Sequence, residues 1–487
     1  MLLYIVMLLP LAGGLALPLF RFKGSRARSL YVEAVVLATS VLTFALLVSG
    51  PRARYDLFTI MDGFTLSFRV DGPGCIFAGL ISLLWPLATL YGFEYMAHEE
   101  RPNTFFAFYT MTYGVTLAVA LAANLFTLYV FYECLTLITL PLVTHKKDPK
   151  SIRAGRRYLY FSISGAALAF IALVFTMHYG TGDGFALGGM LDGNKITGSE
   201  GLLQFVFLLG FIGFGTKAAV FPMFAWLPMA SVAPTPVTAL LHAVAVVNTG
   251  AYAVLRLIYY VFGTSFLAGT AAQYIAFFLS CFTILLGSVL AVKEQHLKRR
   301  LAYSTVSNLS YMLMGAALMT PGGMAGSFTH LICHGLIKIT LFSCAGAILV
   351  RTRHEYVQDL RGLGKAMPFT GAVMAIASLG LVGVPPLCGF ISKWGLLSAA
   401  VEAQPLLGTA GTITLLVSAV LTAVYLFPVL SAMYFSPSGA ALPARNRDPG
   451  WMMKLPLALW ALMILALGLY SGPLVRFLGQ MASGALM

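Results

Sequence analysis

Charge is the scarcest property of this sequence. Asp, Glu, Lys and Arg together make up 10% of its 487 residues, against about 25% in soluble domains. So few ionised groups cannot cover a water-facing surface, which excludes a soluble globular fold. Acidic side chains are the rarer sign, 17 against 31 basic ones, leaving a formal net charge of +14. Cysteine is sparse and unpatterned. Cys75, Cys134, Cys281, Cys333, Cys344 and Cys388 contain no C-x-x-C pair, a spacing that fits neither a zinc site nor an iron–sulfur cluster. They read as small packing residues. The apolar runs also lack period-two alternation, which excludes the strands of a membrane barrel. Nothing resembles a cofactor loop or a nucleophile beside its base, so the expectation is no cofactor, no metal and no redox chemistry on this chain.

In place of charge the sequence has long apolar runs, as at residues 30–50, 105–130, 201–216 and 455–475. About 20 such residues make a spanning helix. The fold class expected is therefore an all-α polytopic membrane protein with about fourteen transmembrane helices. They are expected at 2–20, 30–50, 73–96, 105–122, 124–144, 158–179, 202–230, 236–260, 268–292, 301–319, 324–350, 369–397, 408–435 and 455–477. The longest stretches between them, 51–72 and 180–200, are rich in Gly and Asp, and neither accommodates a catalytic domain. One transmembrane domain, 1–487, is the expected division. The run 2–20 has no basic residues ahead of it, so it reads as a retained span rather than a signal peptide.

The basic residues are distributed as a membrane would require, which argues against nucleic acid as a partner. Arg21, Lys23, Arg26 and Arg28 follow the first span. Lys146, Lys147, Lys150, Arg153, Arg156 and Arg157 follow the fifth. Lys293, Lys298, Arg299 and Arg300 follow the ninth, Arg351, Arg353, Arg361 and Lys365 the eleventh, and Arg445, Arg447 and Lys454 the thirteenth. All five clusters fall after odd-numbered spans and so share a side, which the positive-inside rule makes cytoplasmic. Both termini are then expected outside a cell's inner membrane. Arg52, Arg54 and Arg69 form a minority on the other side.

Two expected spans contain breakers. The seventh reads Lys217-Ala-Ala-Val-Phe-Pro-Met-Phe-Ala-Trp-Leu-Pro228, the twelfth Gly383-Val-Pro-Pro-Leu-Cys-Gly389. Proline inside a helix removes a backbone hydrogen bond, tolerable in a membrane only where protein or water satisfies the freed carbonyl. The breaks lie five spans apart, each with one lysine, Lys217 and Lys393. An odd offset reverses chain direction, the mark of inverted repeats, here about 105–260 and 268–435, whose interrupted helices mark ion sites. Prolines that merely kink packed helices are the plainer alternative, but kinks alone do not account for a lysine near each.

A charge at the bilayer centre costs about 3 kcal/mol on insertion scales, so the few such residues are functional candidates. Glu133 stands mid-span in Leu128-Tyr-Val-Phe-Tyr-Glu133, and could instead be a carboxylate tied to a packing hydroxyl. Lys217 follows sixteen uncharged residues; Gly215-Thr-Lys217 lacks the spacing of a phosphate loop, and snorkelling is its plain alternative. His330, His334 and Lys338 recur at i, i+4 and i+8, on one helix face. Two histidines at that spacing can hold zinc, but the third ligand is missing, and a proton relay fits better. His242 stands alone, as satisfied core histidines often do. Burial disfavours the charged form of Lys or Glu and pairing opposes that, so such a pair switches its own proton affinity as it closes or opens. Histidine exchanges protons near neutral pH.

These residues carry a family resemblance. Residues 217–242, Leu301-Ala-Tyr-Ser-Thr-Val-Ser-Asn-Leu-Ser-Tyr311, residues 330–342 and Gly383-Val-Pro-Pro-Leu-Cys-Gly-Phe-Ile-Ser-Lys393, with Glu133, resemble the antiporter-like subunits shared by respiratory complex I (NADH-quinone oxidoreductase), membrane-bound hydrogenases and Mrp-type cation/proton antiporters. The likeness runs from about residue 71 to about 400. It implies fourteen helices with two inverted five-helix repeats, a Glu133–Lys217 input pair, a central relay of Lys338 with His330 and His334, and Lys393 next to the exit. His242 matches a histidine of some branches. Asn248 departs from the lysine of several members, the sixth span lacks an acidic residue found in some, and the sequence stops soon after its last span without the long lateral helix of the largest complex I member. The function implied is a proton-translocating subunit of a redox-driven complex. A Mrp-type Na+/H+ antiporter subunit comes next and a non-conducting structural subunit last. The partners implied are other membrane subunits including antiporter-like homologues, protons, sodium and the lipid bilayer.

Overall fold

Apolar helix formers bounded by capping residues give a chain that is mostly helix. The computed structural model describes residues 1–20, 22, 24–50, 53–61, 63–97, 99–182, 184–435 and 448–484. Arg21, Lys23, Arg52, Arg445 and Arg447 lie outside the described residues. In chain order the helices are α1 (Leu2–Ala16), α2 (Ser25–Ser49), α3 (Gly72–Met96), α4 (Pro102–Ala120), α5 (Leu125–Val143), α6 (Pro149–Tyr179), the single turn α7 (Gly193–Ile196), α8 (Glu200–Gly215), α9 (Trp226–Ala230), α10 (Thr235–Ala243) and α11 (Val246–Arg256). They continue as α12 (Thr264–Leu267), α13 (Ala271–Lys293), α14 (Leu297–Ala317), α15 (Pro321–Thr352), α16 (Leu363–Ala366), α17 (Pro368–Val382), α18 (Cys388–Val401), α19 (Pro405–Tyr434), α20 (Trp451–Leu469) and α21 (Gly472–Ala482). A wider π turn, Leu257–Phe262, extends α11.

Ten described segments are long and apolar enough to cross a membrane, and α8, α17 and α18 are shorter apolar helices. Starts are set by side-chain caps. Asp71 accepts from the Gly74 amide at 2.9 Å, Asn124 from Thr127 at 2.7 Å, Asp148 from Ser151 at 2.6 Å and Thr320 from Gly323 at 3.0 Å, each satisfying an amide that a helix start leaves free. Left-handed glycines end α2 and α17, with φ of 58° at Gly50 and 95° at Gly383, a geometry that Cβ-bearing residues resist.

The Asp148 cap corrects one placement. Because α6 begins at Pro149, Lys150, Arg153, Arg156 and Arg157 ride on its first turns rather than in a loop. Lys298, Arg299 and Arg300 likewise sit in the first turn of α14. The stretch 51–72 also holds more structure than its composition indicates. Strands β1 (Tyr55–Met61) and β2 (Phe64–Phe68) pair antiparallel, Tyr55 opposite Phe68 and Met61 opposite Phe64.

Burial sorts the helices into a centre and a rim. Residues 235–262 are wholly buried and α15 nearly so, whereas α2 and α20 bury a third of their most apolar window. α15 is the hub, packing against α3, α10, α14, α17, α18, α20 and α21. The rim exposes large apolar side chains such as Val41, Leu137, Val420 and Leu462, as expected of surfaces solvated by lipid.

Candidate ion-translocation site

Lys217 emerges where α8 ends. The helix stops at Gly215, and a non-α stretch runs to α9 at Trp226. Its backbone is held by the Trp226 indole, which donates to the Thr216 carbonyl at 2.9 Å. α11 presses directly on it. A methyl group at Gly250 would lie 2.9 Å from Lys217 Cβ, so only glycine allows that approach. The Lys217 ammonium is sealed, with its side chain 1% exposed, and stands 3.7 Å from Glu133 Oε1 on α5. It donates to the Tyr132 carbonyl and lies over the Tyr132 ring, 3.3 Å from its centroid. Tyr132 is fixed in turn by donating to Phe214 O at 2.9 Å. Glu133 keeps a quarter of its side chain exposed at the edge of the chain. The pair thus joins a closed interior to an open rim.

The second group is carried by α15 at the centre of the molecule. His330, His334 and Lys338 are all buried. His330 Nδ1 is 3.0 Å from Ser392 Oγ on α18, and the His330 and His334 rings lie 6.0 Å apart. Lys338 donates to Leu301 O at 3.0 Å and to the Ser304 hydroxyl, both on α14. His242, on α10, stacks against Phe342 of α15 at 4.5 Å between ring centroids. Among the described residues both ring nitrogens of His242 and of His334 are buried with no hydrogen-bond partner in the protein. Buried polar atoms are otherwise nearly always paired, which marks these nitrogens as exceptions.

Asn248 lies between the two groups. Its amide donates to Ala243 O at 2.7 Å and to Leu331 O at 3.4 Å, joining the α10–α11 junction to the histidine helix. Lys393, on α18, donates to Leu381 O at 2.7 Å and Val382 O at 3.0 Å. Those are the last carbonyls of α17, freed where that helix ends at Gly383, and they form the negative end of its dipole. The Lys393 ammonium is 5.5 Å from the centroid of the Tyr311 ring, which lies 5.3 Å from that of His330.

The structure therefore brings Glu133 and Lys217 together, groups His330, His334 and Lys338 on one helix with Lys393 and His242 beside it, and inserts Asn248 between. Sequence reasoning missed a second ion pair. Arg256 makes a two-pronged contact with Asp71, at 2.7 and 2.5 Å, and also donates to the Tyr252 hydroxyl at 3.0 and 2.7 Å. Arg256 is 1% exposed, as sealed as Lys217. The signal was present, an arginine four residues short of the expected end of an apolar span.

Known proteins agree with this architecture. The family model described as NADH:quinone oxidoreductase/Mrp antiporter, transmembrane, matches residues 122–422. The A/B subunit of a probable K+/H+ antiporter of Rhizobium meliloti (strain 1021) is 30% identical over 96% of this chain and 47% of its own length. The A1 subunit of a Na+/H+ antiporter of Staphylococcus aureus (strain JH9) is 28% identical over 100% of this chain and 63% of its own. The chain thus spans about half to two thirds of these curated relatives. A chain of the membrane-bound sulfane sulfur reductase, an archaeal respiratory membrane complex, superimposes with a TM-score of 0.86 at 20% identity, covering 99% of this chain and 97% of that one. A chain of the Mrp complex from Dietzia sp. DQ12-45-1b does so at 0.84 and 20%, covering 99% and 96%. With most of its length matched and the whole fold shared, the chain belongs to the NADH:quinone oxidoreductase/Mrp antiporter transmembrane family.

Proposed function

We propose that this chain is the proton-translocating, antiporter-like subunit of a multi-subunit complex in a cell's inner membrane, with protons passing along Glu133, Lys217, the histidines, Lys338 and Lys393. The observation that carries the reading is the Glu133–Lys217 pair, one partner open to the rim and the other closed inside, 3.7 Å apart. A carboxylate and an ammonium that part and rejoin alter each other's proton affinity, and a lysine released from its carboxylate hands its proton inward. His242 and His334, with unpartnered nitrogens, supply groups that both accept and donate. Lys393 then takes the role of the group next to the exit. Glu133, exposed at the rim, is where a homologous neighbouring subunit would make contact.

The architecture proposed with it has fourteen crossings and both termini outside, the basic clusters lying in the cytoplasm. In that count residues 200–230 and 368–401 each form one interrupted crossing, the seventh and the twelfth, related by inverted repeats.

Exchange of protons for sodium or potassium, without redox chemistry, is the form the relatives' names favour, since both curated relatives are named as antiporter subunits. Electron-driven pumping is the second form, and the likeness to a respiratory membrane complex is its support.

The test is transport by the assembled complex in vesicles. Lys217→Met and Lys338→Met remove the exchangeable proton at similar volume. Lys217→Arg and Lys338→Arg keep the charge but do not release a proton. All four variants are expected to assemble on a native gel and to lose at least about tenfold in coupled transport, roughly 1.4 kcal/mol or more at the limiting step. Wild-type transport by an assembled Lys217→Met complex would make the lysine structural and the path wrong. Running the assay on an imposed proton gradient with sodium or potassium opposite, and no electron donor, separates the two forms.

A further inference from the structure

Buried polarity is not confined to the lysine row. α2, α3 and α4 pack side by side, and the seam between them begins at a carboxylate. Glu33 lies about 12 Å along α2 from its first residue, and its Oε2 is buried without a hydrogen-bond partner. Arg28, at the mouth of the seam, donates to Asn103 Oδ1 at 3.2 Å. Glu33 is within electrostatic reach of the Tyr109 phenol. That phenol is itself 1% exposed and unpartnered. The Tyr109 ring lies 5.7 Å from Trp85, whose indole N–H is likewise buried and unpartnered. Trp85 stacks on Tyr113 at 4.8 Å, and the Tyr113 hydroxyl is 2.8 Å from Ser40 Oγ. The Thr43 and Ser82 hydroxyls flank the same phenol. Glu33, Ser40 and Thr43 share one helical face and cover about 15 Å, roughly half a bilayer core.

The same α2–α3 contact continues outward. Leu47 closes against Gly79, its Cδ1 3.6 Å from where a methyl there would sit. Beyond it opens a cavity of about 570 Å³ lined by Leu47, Gly50, Arg69, Asp71, Cys75 and Tyr260 among others. A structural seam explains the satisfied Ser40–Tyr113 pair. It does not explain three unpartnered polar atoms, one of them on an ionisable carboxyl, inside lipid-depth protein, where such groups are strongly disfavoured. Water bridging neighbouring polar groups satisfies them, given two to four partners each.

We propose that the α2–α3–α4 seam is a second, hydrated proton path. Glu33 exchanges protons with the face of the membrane at its end. Water held by Tyr109, Trp85, Tyr113 and Ser40 conducts them to mid-membrane, and the Leu47–Gly79 contact is the constriction before the Asp71 cavity. Each transfer breaks one O–H bond and forms the next, so no co-reactant is needed. The proposal is independent of the lysine row, because the seam lies on the other side of α3 from the histidines.

Silver ion, small enough for single-file water, is the probe. In the assembled complex in vesicles, with the six natural cysteines replaced, Ser40→Cys and Thr43→Cys are exposed to silver from the Glu33 side and then counted by alkylation after denaturation. Val41→Cys, on the lipid-facing rim with Val41 65% exposed, is the control. Modification at least tenfold faster at Ser40→Cys and Thr43→Cys than at Val41→Cys is expected. Glu33→Gln is expected to lower transport at least fivefold, and Glu33→Asp, which keeps the exchanging carboxyl, to restore it. Silver rates no faster than the control at both positions, or wild-type transport by Glu33→Gln, would overturn the proposal. The silver readout needs no transport, so it stands or falls apart from Lys217 and Lys338.

Discussion

Removing the charge of Asp71 tests the worth of its buried pair with Arg256, Arg69 Nη2 standing farther off at 3.6 Å. Asparagine at position 71 still accepts from the Gly74 amide, so the cap of α3 survives and only the charge is lost. With charge centres about 4 Å apart and an effective dielectric near 20, the attraction is about 4 kcal/mol. Removing one partner of a buried pair costs about 3–5 kcal/mol, because the remaining charge is stranded. Arg256 has little chance of relief. Its guanidinium is enclosed by Phe185, Tyr252 and Tyr260, with ring centroids at 4.8, 5.1 and 4.7 Å, and the residue is 1% exposed. Asp71→Asn is therefore expected to destabilise this chain by about 3–5 kcal/mol, and Asp71→Ala by about 1 kcal/mol more through the lost cap. The double variant Asp71→Asn with Arg256→Met removes the stranded charge and should regain most of the loss. The assay is a sodium dodecyl sulfate titration of the purified complex, following the unfolding of this chain. A single Asp71→Asn within about 1 kcal/mol of wild type, or a double variant as weak as the two singles added, would refute the buried-pair reasoning.

Three further outcomes are expected. Cysteines placed in residues 146–157 should resist impermeant labels applied outside intact cells, while those in residues 184–200 should react; the reverse would invert the topology. The Ser151 amide, donating to the Asp148 carboxylate at 2.6 Å, holds it below its ordinary value. The cap is thus fully present above the ordinary carboxylate range and lost as pH falls through the lowered value. Asp148→Ala should weaken the first turn of α6 by about 1 kcal/mol, read as faster amide exchange at residues 150–153. His242→Ala should reduce transport much more than Asn248→Ala, because asparagine cannot hold a net proton; equal small losses would place the path elsewhere.

The helical membrane class was legible because apolar length and charge scarcity are additive properties that a linear reading captures. The start of α6 lies nine residues before the expected 158, although Asp148 precedes Pro149 in the order that begins helices. The individual lysines stood out as single charges in long apolar runs. What a linear reading does not contain is distance across the chain. The 3.7 Å between Glu133 and Lys217 joins α5 to the non-α stretch that follows α8, and nothing local to either encodes it. Asp71 and Arg256 were overlooked because each sits at the end of a span, where charge looks solvated. Glu33 was overlooked for the opposite reason, lying inside the run 30–50 whose apolar character swamps one carboxylate. The hairpin escaped because β1 is exposed on both faces and so lacks the alternation that marks a half-buried strand.

The two lysines beside proline-rich stretches, which look equivalent in the sequence, are held by different physics. Lys393 binds carbonyls of its own interrupted segment. α17 ends at Gly383, its final carbonyls have no helical partner, and the ammonium takes two of them. The freed acceptors and the cation thus satisfy each other, and either one alone would be the costlier structure in lipid. Lys217 has no such local acceptors to satisfy. It reaches across to α5, where the Tyr132 carbonyl and the Glu133 carboxylate receive it. A neutral carbonyl cage keeps a constant hold on an ammonium, whereas a carboxylate's hold changes with its own proton. On the proposed path this makes a division of labour, with the responsive contact at Lys217 and the fixed one at Lys393. Replacing Glu133 by Gln should therefore convert Lys217 toward the fixed kind and lower transport without disturbing assembly. Replacing Lys393 by Met strips two carbonyls of their partner and should lower stability as well as transport, each unpaired acceptor being worth about 1–3 kcal/mol.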